Sequence, residues 1–320
     1  MSPVFAPWQQ RAFDHALAAL QAGRLGHGLL ICGSAGLGQR TVAERLARHV
    51  LSGGAPDGGG RDAQLIDAGT HPDLSLLALA MNKEGTRLRT EIVIDQVRAL
   101  SQKLAMTPQY GIAQIAIVDP ADAINRAACN ALLKTLEEPS PGRYLWLISA
   151  QPARLPATIR SRCQRLEFRL PPREEALAWL QRQGHAHQDA EEALDAARGH
   201  PGQADQWLRE GGMDLRKSVA ADLARLQRGD AGVVETAQRW AADEHADLRL
   251  RHAADLALAH ASAPGLTDPT RLHKLAAWFD AANRTRDLLT TTVRGDLAMV
   301  DLLLAWRETT RARAGNGDVG

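Results

Sequence analysis

The chain is predicted to be α/β in its first half and all-α in its second, a parallel sheet covered by helices and followed by helical units. Three observations predict this. Across residues 1–170 short apolar runs alternate with segments of helical spacing, the pattern of strands joined by crossover helices. The runs at 28–33 and 115–118 are continuously apolar, as strands buried on both faces must be. After Pro171-Pro172 no strand pattern is seen, and an aromatic content of 4% with abundant Ala, Leu, Arg and Gln favours helix.

Taken in order, residues 8–23 have helical apolar spacing, 28–33 form a buried strand ended by glycine, and 39–51 form a helix. Residues 52–60, rich in glycine with one proline, read as a loop. Strand 73–80, helix 91–106 and strand 114–118 follow, the last stopped by Asp119-Pro120. Asp122 is placed to cap the next helix, which Pro139 and Pro141 terminate. A strand at 144–149, a short helix near Thr158 and a strand at 164–168 complete the α/β part. Beyond it, amphipathic helices break at 199–202, 211–212 and 263–265, and 310–320 reads as a frayed tail.

Composition bounds the function. At 45% hydrophobic and 23% charged the sequence is that of an ordinary globular protein, and a net charge of +1 gives no global basic field for nucleic acid. No uninterrupted apolar stretch reaches the ~18 residues of a spanning helix, and no secretory signal pattern opens the chain, so a cytoplasmic location without membrane contact is expected. Cys32, Cys129 and Cys163 are far apart with no CxxC spacing, which argues against a disulfide framework and a four-cysteine zinc site.

Two motifs carry chemistry. Gly33, Gly36 and Gly38, between a strand and a helix, have the spacing of a phosphate-cradling P-loop. The lysine such a loop requires is Gln39, and the Ser/Thr that would hold magnesium is Arg40. A shifted register using Arg40 and Thr41 lengthens the loop and sets a planar guanidinium where a compact ammonium belongs. Three readings stay open: a glycine turn kept for structure, residual nucleotide binding, and an autonomous ATPase with an irregular loop. The second motif is the apolar run from Ile115 to Val118, which delivers Asp119 to the carboxyl edge of the sheet, the geometry of a Walker B acid. The next position, where a hydrolase carries a water-polarising glutamate, is Pro120.

The run from Asp119 to Pro139, above all Asn-Ala-Leu-Leu-Lys-Thr-Leu-Glu-Glu-Pro at 130–139, resembles bacterial clamp-loader subunits of the AAA+ family. Ser149 stands at the sensor 1 position of that family, and Ser161-Arg162-Cys163 matches its SRC motif. Pro7-Trp8, His27-Gly28, Ala68 to Asp73 and Gly199 to Ala204 extend the resemblance over about two thirds of the chain. The C-terminal bundle is similar in helical character and at Leu297 to Trp306.

The resemblance implies an AAA+ domain at 1–170, a small helical lid at 171–212 and a helical collar at 213–320 that mediates oligomerisation. It implies a subunit that turns over no ATP and lends Arg162, flanked by Ser161 and Cys163, to the ATP site of a neighbour, with Arg160 and Arg165 as lesser candidates. Gamma/tau motor subunits and delta are the implied partners in a hetero-oligomer. Through that complex, part of the replicative DNA polymerase III, the implied targets are the sliding clamp and primed DNA. No polymerase active site is visible, so any DNA-directed DNA polymerase (nucleotidyltransferase) activity would belong to the holoenzyme. No cofactor is expected. The family's four-cysteine zinc module is missing, since residues 52–64 contain no cysteine, and His71 reads as a turn residue with Asp73 its one close acidic neighbour. Arg87, Arg89, Lys103 and Arg126 are candidates for phosphate contacts, which solvated helix faces explain equally well.

Overall fold

The computed structural model describes residues 4–54, 60–82, 84–111, 113–261, 269–289 and 294–310. These fall into two compact units, one of residues 1–184 with 197–203 and one of residues 185–196 with 204–320. The break expected at 263–265 and nearly all of the expected tail lie outside the described residues.

The first unit is built on a five-stranded sheet in the order β2-β3-β4-β1-β5, with every pair parallel. The strands are β1 (Gly28–Cys32), β2 (Leu74–Leu77), β3 (Gln114–Val118), β4 (Arg143–Ser149) and β5 (Gln164–Glu167). Side chains alternate across the pleat, so Leu29, Ile31, Ile115, Ile117, Trp146 and Ile148 enter one core. Leu30, Cys32, Ala116, Val118, Leu145 and Leu147 enter the other. The first core is covered by α1 (Pro7–Gln21) and α2 (Gln39–Leu51), through Trp8, Val42, Leu46 and Val50. The second is covered by α4 (Ile94–Ala105) and α5 (Arg126–Glu137), through Val97, Leu100, Leu132 and Leu136. Between these pairs of helices lies α3 (Arg61–Asp67), which glycine-rich surroundings hid from the sequence reading. The unit also holds α6 (Ala157–Arg160) and α7 (Arg173–Arg182).

Three expected boundaries move for identifiable reasons. Strand β2 is shorter than 73–80, because Ala80 already belongs to a hairpin closed by a Met81–Leu88 bridge. The helix expected at 91 begins at Ile94, since Ile92 is held extended by a bridge to Ile124. Asp122 does not cap α5. It lies in a 3-10 turn, Ala121–Ala123, and its Oδ2 accepts from Gln151 N at 2.8 Å. The cap is Asn125, whose Oδ1 accepts from Ala128 N at 3.0 Å.

The second unit consists, in its described residues, of helices and the turns between them, with no strand. It contains α8 (His187–Ala196), much of α9 (Pro201–Arg209), α10 (Gly212–Arg228), α11 (Val233–Ala241), α12 (Ala246–Ala261), α13 (Pro269–Leu288) and α14 (Gly295–Thr310). One core joins Leu223, Trp240, Leu250, Trp278, Leu303 and Trp306. Buried Asp222 is satisfied from two sides, by Trp240 Nε1 and Arg239 NH2, each at 2.9 Å.

His252, fully buried on α12, packs edge-on to Trp207 at 4.5 Å between ring centroids. Burial, aided by Arg216 and Arg251, pushes its imidazole down to about 4, against a backbone hydrogen bond to Gly212. The sign follows: between its ordinary value of 6.5 and about 4 the unfolded chain binds a proton that the folded chain refuses. Stability is therefore full above about pH 6.5 and falls by up to about 3 kcal/mol as the pH drops toward 4. Thermal unfolding between pH 7.5 and 4.5 is expected to show this decline, and a shallower one for His252→Leu.

Candidate functional site

The loop between β1 and α2 is shaped like a P-loop, and three of its carbonyl oxygens are engaged from inside the chain. Gly36 and Gly38 adopt positive φ of 89°, Gly38 as the N-cap of α2. Buried Gln39 turns back into the loop, its Nε2 donating to Gly33 O at 3.1 Å and to Ser34 O at 2.7 Å. A primary amide has two N–H donors, so both are spent on the loop. Leu37 O accepts from Trp8 Nε1 at 2.9 Å and from Gln9 Nε2 at 3.1 Å. Trp8 and Gln9 thus brace the loop.

At the start of α9, Gly202 approaches the loop so closely that a Cβ there would lie 1.9 Å from Gly36 O. Gly202→Ala is therefore expected to cost about 1–3 kcal/mol through forced displacement, read as a lower denaturant midpoint for the first unit.

Arg40 projects from the first turn of α2 toward the Walker B strand. Its NH1 lies 3.6 Å from Asp119 Oδ2, while its Nε donates to Glu44 Oε1 at 2.8 Å. Burial raises the Asp119 carboxyl above the ordinary carboxylate range, Glu44 and Asp122 push the same way, and Arg40 opposes them. A guanidinium thus stands beside the acid that a magnesium ion would occupy in a working NTPase. Thr41, the next residue of α2, is half-buried. Ser149 ends β4, paired with Cys32 of β1.

The SRC segment follows α6. Ser161 Oγ donates to Thr158 O at 3.2 Å, and Cys163 is buried, with its thiol pushed up to about 11 by that burial. Cys163 is accordingly a packing residue with little thiolate at neutral pH. Arg162 NH1 donates to Thr158 O at 2.9 Å, and its NH2 pairs with Glu137 Oε1 at 2.7 Å. Its side chain stays 36% exposed. A guanidinium has five N–H donors, and no other partner for Arg162 occurs among the described residues.

His27-Gly28 seats this segment, a role the sequence reading missed. A Cβ on Gly28 would come within 3.2 Å of Arg162 O and 3.4 Å of Cys163 Sγ. His27 Nε2 meets Leu136 O at 2.8 Å and fixes the end of α5.

Other candidates are dispersed. Arg87 and Arg89 sit on the hairpin after β2, Lys103 in the last turn of α4, and Arg126 at the start of α5. His71 has a second acidic neighbour besides Asp73, since Asp62 Oδ1 lies 3.6 Å from its Nε2. Its Nδ1 accepts from Asp73 N at 3.1 Å, and the Asp73 carboxylate accepts from Gln109 N and Tyr110 N at 2.7 and 2.8 Å, the bonding of a turn. No cluster suited to a metal ion occurs among the described residues. No described helix is long and apolar enough to cross a membrane.

A parallel sheet bearing a P-loop and a Walker B strand, with an SRC segment, defines a protein of the AAA+ P-loop class. Comparison with known proteins narrows this class. The family model for DNA polymerase III, delta subunit, matches residues 8–172. The chain is 33% identical to DNA polymerase III subunit delta' of Escherichia coli K12, across 93% of this chain and 94% of that one. It is 35% identical to the subunit of the same name in Pseudomonas aeruginosa PAO1, across 73% and 70%. It is 30% identical to E. coli DNA polymerase III subunit tau, across 51% of this chain and 26% of that one. The chain belongs to the delta-prime family of DNA polymerase III subunits and is a clamp-loader-related protein.

Proposed function

We propose that this chain is the subunit of a bacterial clamp loader that hydrolyses no ATP itself and donates Arg162 to the ATP site of an adjacent motor subunit. The observation that carries the first half is Gln39, whose two amide donors both close the loop and leave none for a phosphate. Arg40 beside Asp119 and Pro120 in place of a glutamate support it. Arg162, exposed on a braced segment with unused donors, supports the second half. A guanidinium presented this way stabilises charge that develops on a transferred phosphoryl group, and arginines supplied in trans contribute about 10³–10⁵ in rate, roughly 4–7 kcal/mol.

The complex would join this chain to gamma/tau motor subunits and to delta through its C-terminal helices. In the cytoplasm it would place a sliding clamp on primed DNA for the replicative polymerase. The similarity to tau supports a motor neighbour built on the same AAA+ plan. No cofactor is assigned to this chain. Titration of the isolated chain with magnesium and a fluorescent ATP analogue is expected to show no saturable binding up to about millimolar concentration and no turnover. Turnover would instead favour the autonomous ATPase and make Arg40 the next residue to replace.

A further inference from the structure

Glu137 is the last residue of α5, and an acid there runs against the helix dipole, which favours cations at that end. Glu138 and Pro139 follow at once, so the position is also where the chain leaves the helix. What stands opposite is Arg162, with NH2 at 2.7 Å from Glu137 Oε1.

Both partners are mounted on fixed supports. The final turn of α5 is held by His27 Nε2 against Leu136 O at 2.8 Å, and by Leu136 and Leu132 in the core. Arg162 is held through its backbone, whose N–H donates to Ile159 O at 3.1 Å, and through its buried neighbour Cys163. The guanidinium is bound at both terminal nitrogens, NH1 by Thr158 O and NH2 by Glu137. Two acceptors on two nitrogens fix the plane of the group, not only its position, and the other N–H groups remain to meet an anion.

We propose that Glu137 is a positioning residue for Arg162, holding the guanidinium in the plane from which it reaches a neighbour's ATP; this rests on the trans-arginine reading above. A long arginine side chain ordered before the subunits meet loses less freedom when the phosphate arrives. Glu137 acts through Arg162 alone and touches no nucleotide.

The test uses the assembled loader with wild-type chain, Glu137→Ala, Glu137→Gln, Arg162→Ala and the double alanine variant, each confirmed to assemble at the same stoichiometry. For Glu137→Ala, kcat of the DNA- and clamp-stimulated ATPase is expected to fall about fivefold, as for loss of a partly exposed ion pair, with the KM for ATP unchanged. Glu137→Gln, which keeps an acceptor without the charge, falls between. In the Arg162→Ala background, Glu137→Ala changes nothing further. An unchanged or raised kcat for Glu137→Ala beside an impaired Arg162→Ala overturns the positioning role, as does a fall that persists when Arg162 is absent. If Arg162→Ala itself is unimpaired, the trans-arginine reading fails first and this role fails with it.

Discussion

Replacing Trp306 by alanine is expected to destabilise the second unit by about 3–5 kcal/mol, the range for removing a buried aromatic side chain. Trp306 is 1% exposed, packs against Trp278 with centroids 4.8 Å apart and planes tilted by 56°, and donates from Nε1 to Leu223 O at 3.0 Å. That bond spans 83 positions and ties α14 to α10, so the indole closes the bundle as well as filling it. Trp278 Nε1 in turn donates to Leu302 O at 2.8 Å, which couples the two rings to one helix. Thermal unfolding is expected to drop by about 10 °C or more, at roughly 3–5 °C per kcal/mol for a unit between the small and mid-sized domain ranges. Trp306→Phe, which keeps a ring and loses the N–H, falls part of that way. A shift under about 3 °C for the alanine variant would show that α14 is not what closes this core. Because the proposed docking surface lies on these helices, loss of assembly is expected alongside the loss of stability.

Much of the first unit is legible in the sequence, because its inner strands β1, β3 and most of β4 are buried on both faces and so are largely apolar. Residues 114–118 and 39–51 have the same limits in the sequence reading and in the structure. The departures come where a distant segment overrides a local pattern. Ile92 has helical spacing but is bridged to Ile124, and Asp122 looks like a cap until its carboxylate is found on Gln151 N. Helix α3 is short and follows a run of glycines, so its periodicity carries little signal.

The site divides in the same way. The substitutions at Gln39, Arg40 and Pro120 are visible as departures from a motif, whereas what the new side chains do is not. That Gln39 turns back to Gly33 and Ser34, and that Arg40 faces Asp119, depends on rotamers and on the approach of β3 to α2. The His27-Gly28 seat beneath the SRC segment joins residues more than 100 positions apart, and nothing local announces it. One signal was available: a glycine beginning an otherwise bulky buried strand marks a close approach.

Arg162 is expected to work in another subunit's ATP site while this chain's own loop binds no nucleotide. Arg162 is 36% exposed and not in contact with the P-loop residues through any described hydrogen bond or ion pair, so a local catalytic use has no support in its bonding. Lysine is a poor replacement, since it lacks the planar fork that lets one group be braced by Thr158 and Glu137 and still face a phosphate. The most direct measurement is the DNA- and clamp-stimulated ATPase of a loader reconstituted from motor subunits, delta and this chain, with wild type compared against Arg162→Ala and Arg162→Lys. With assembly intact, the alanine variant is expected to lower the rate at least tenfold, about 1.4 kcal/mol or more, and lysine to restore little of it. A rate within about twofold of wild type for Arg162→Ala, less than about 0.5 kcal/mol of barrier, would contradict the account and leave the chain a scaffold.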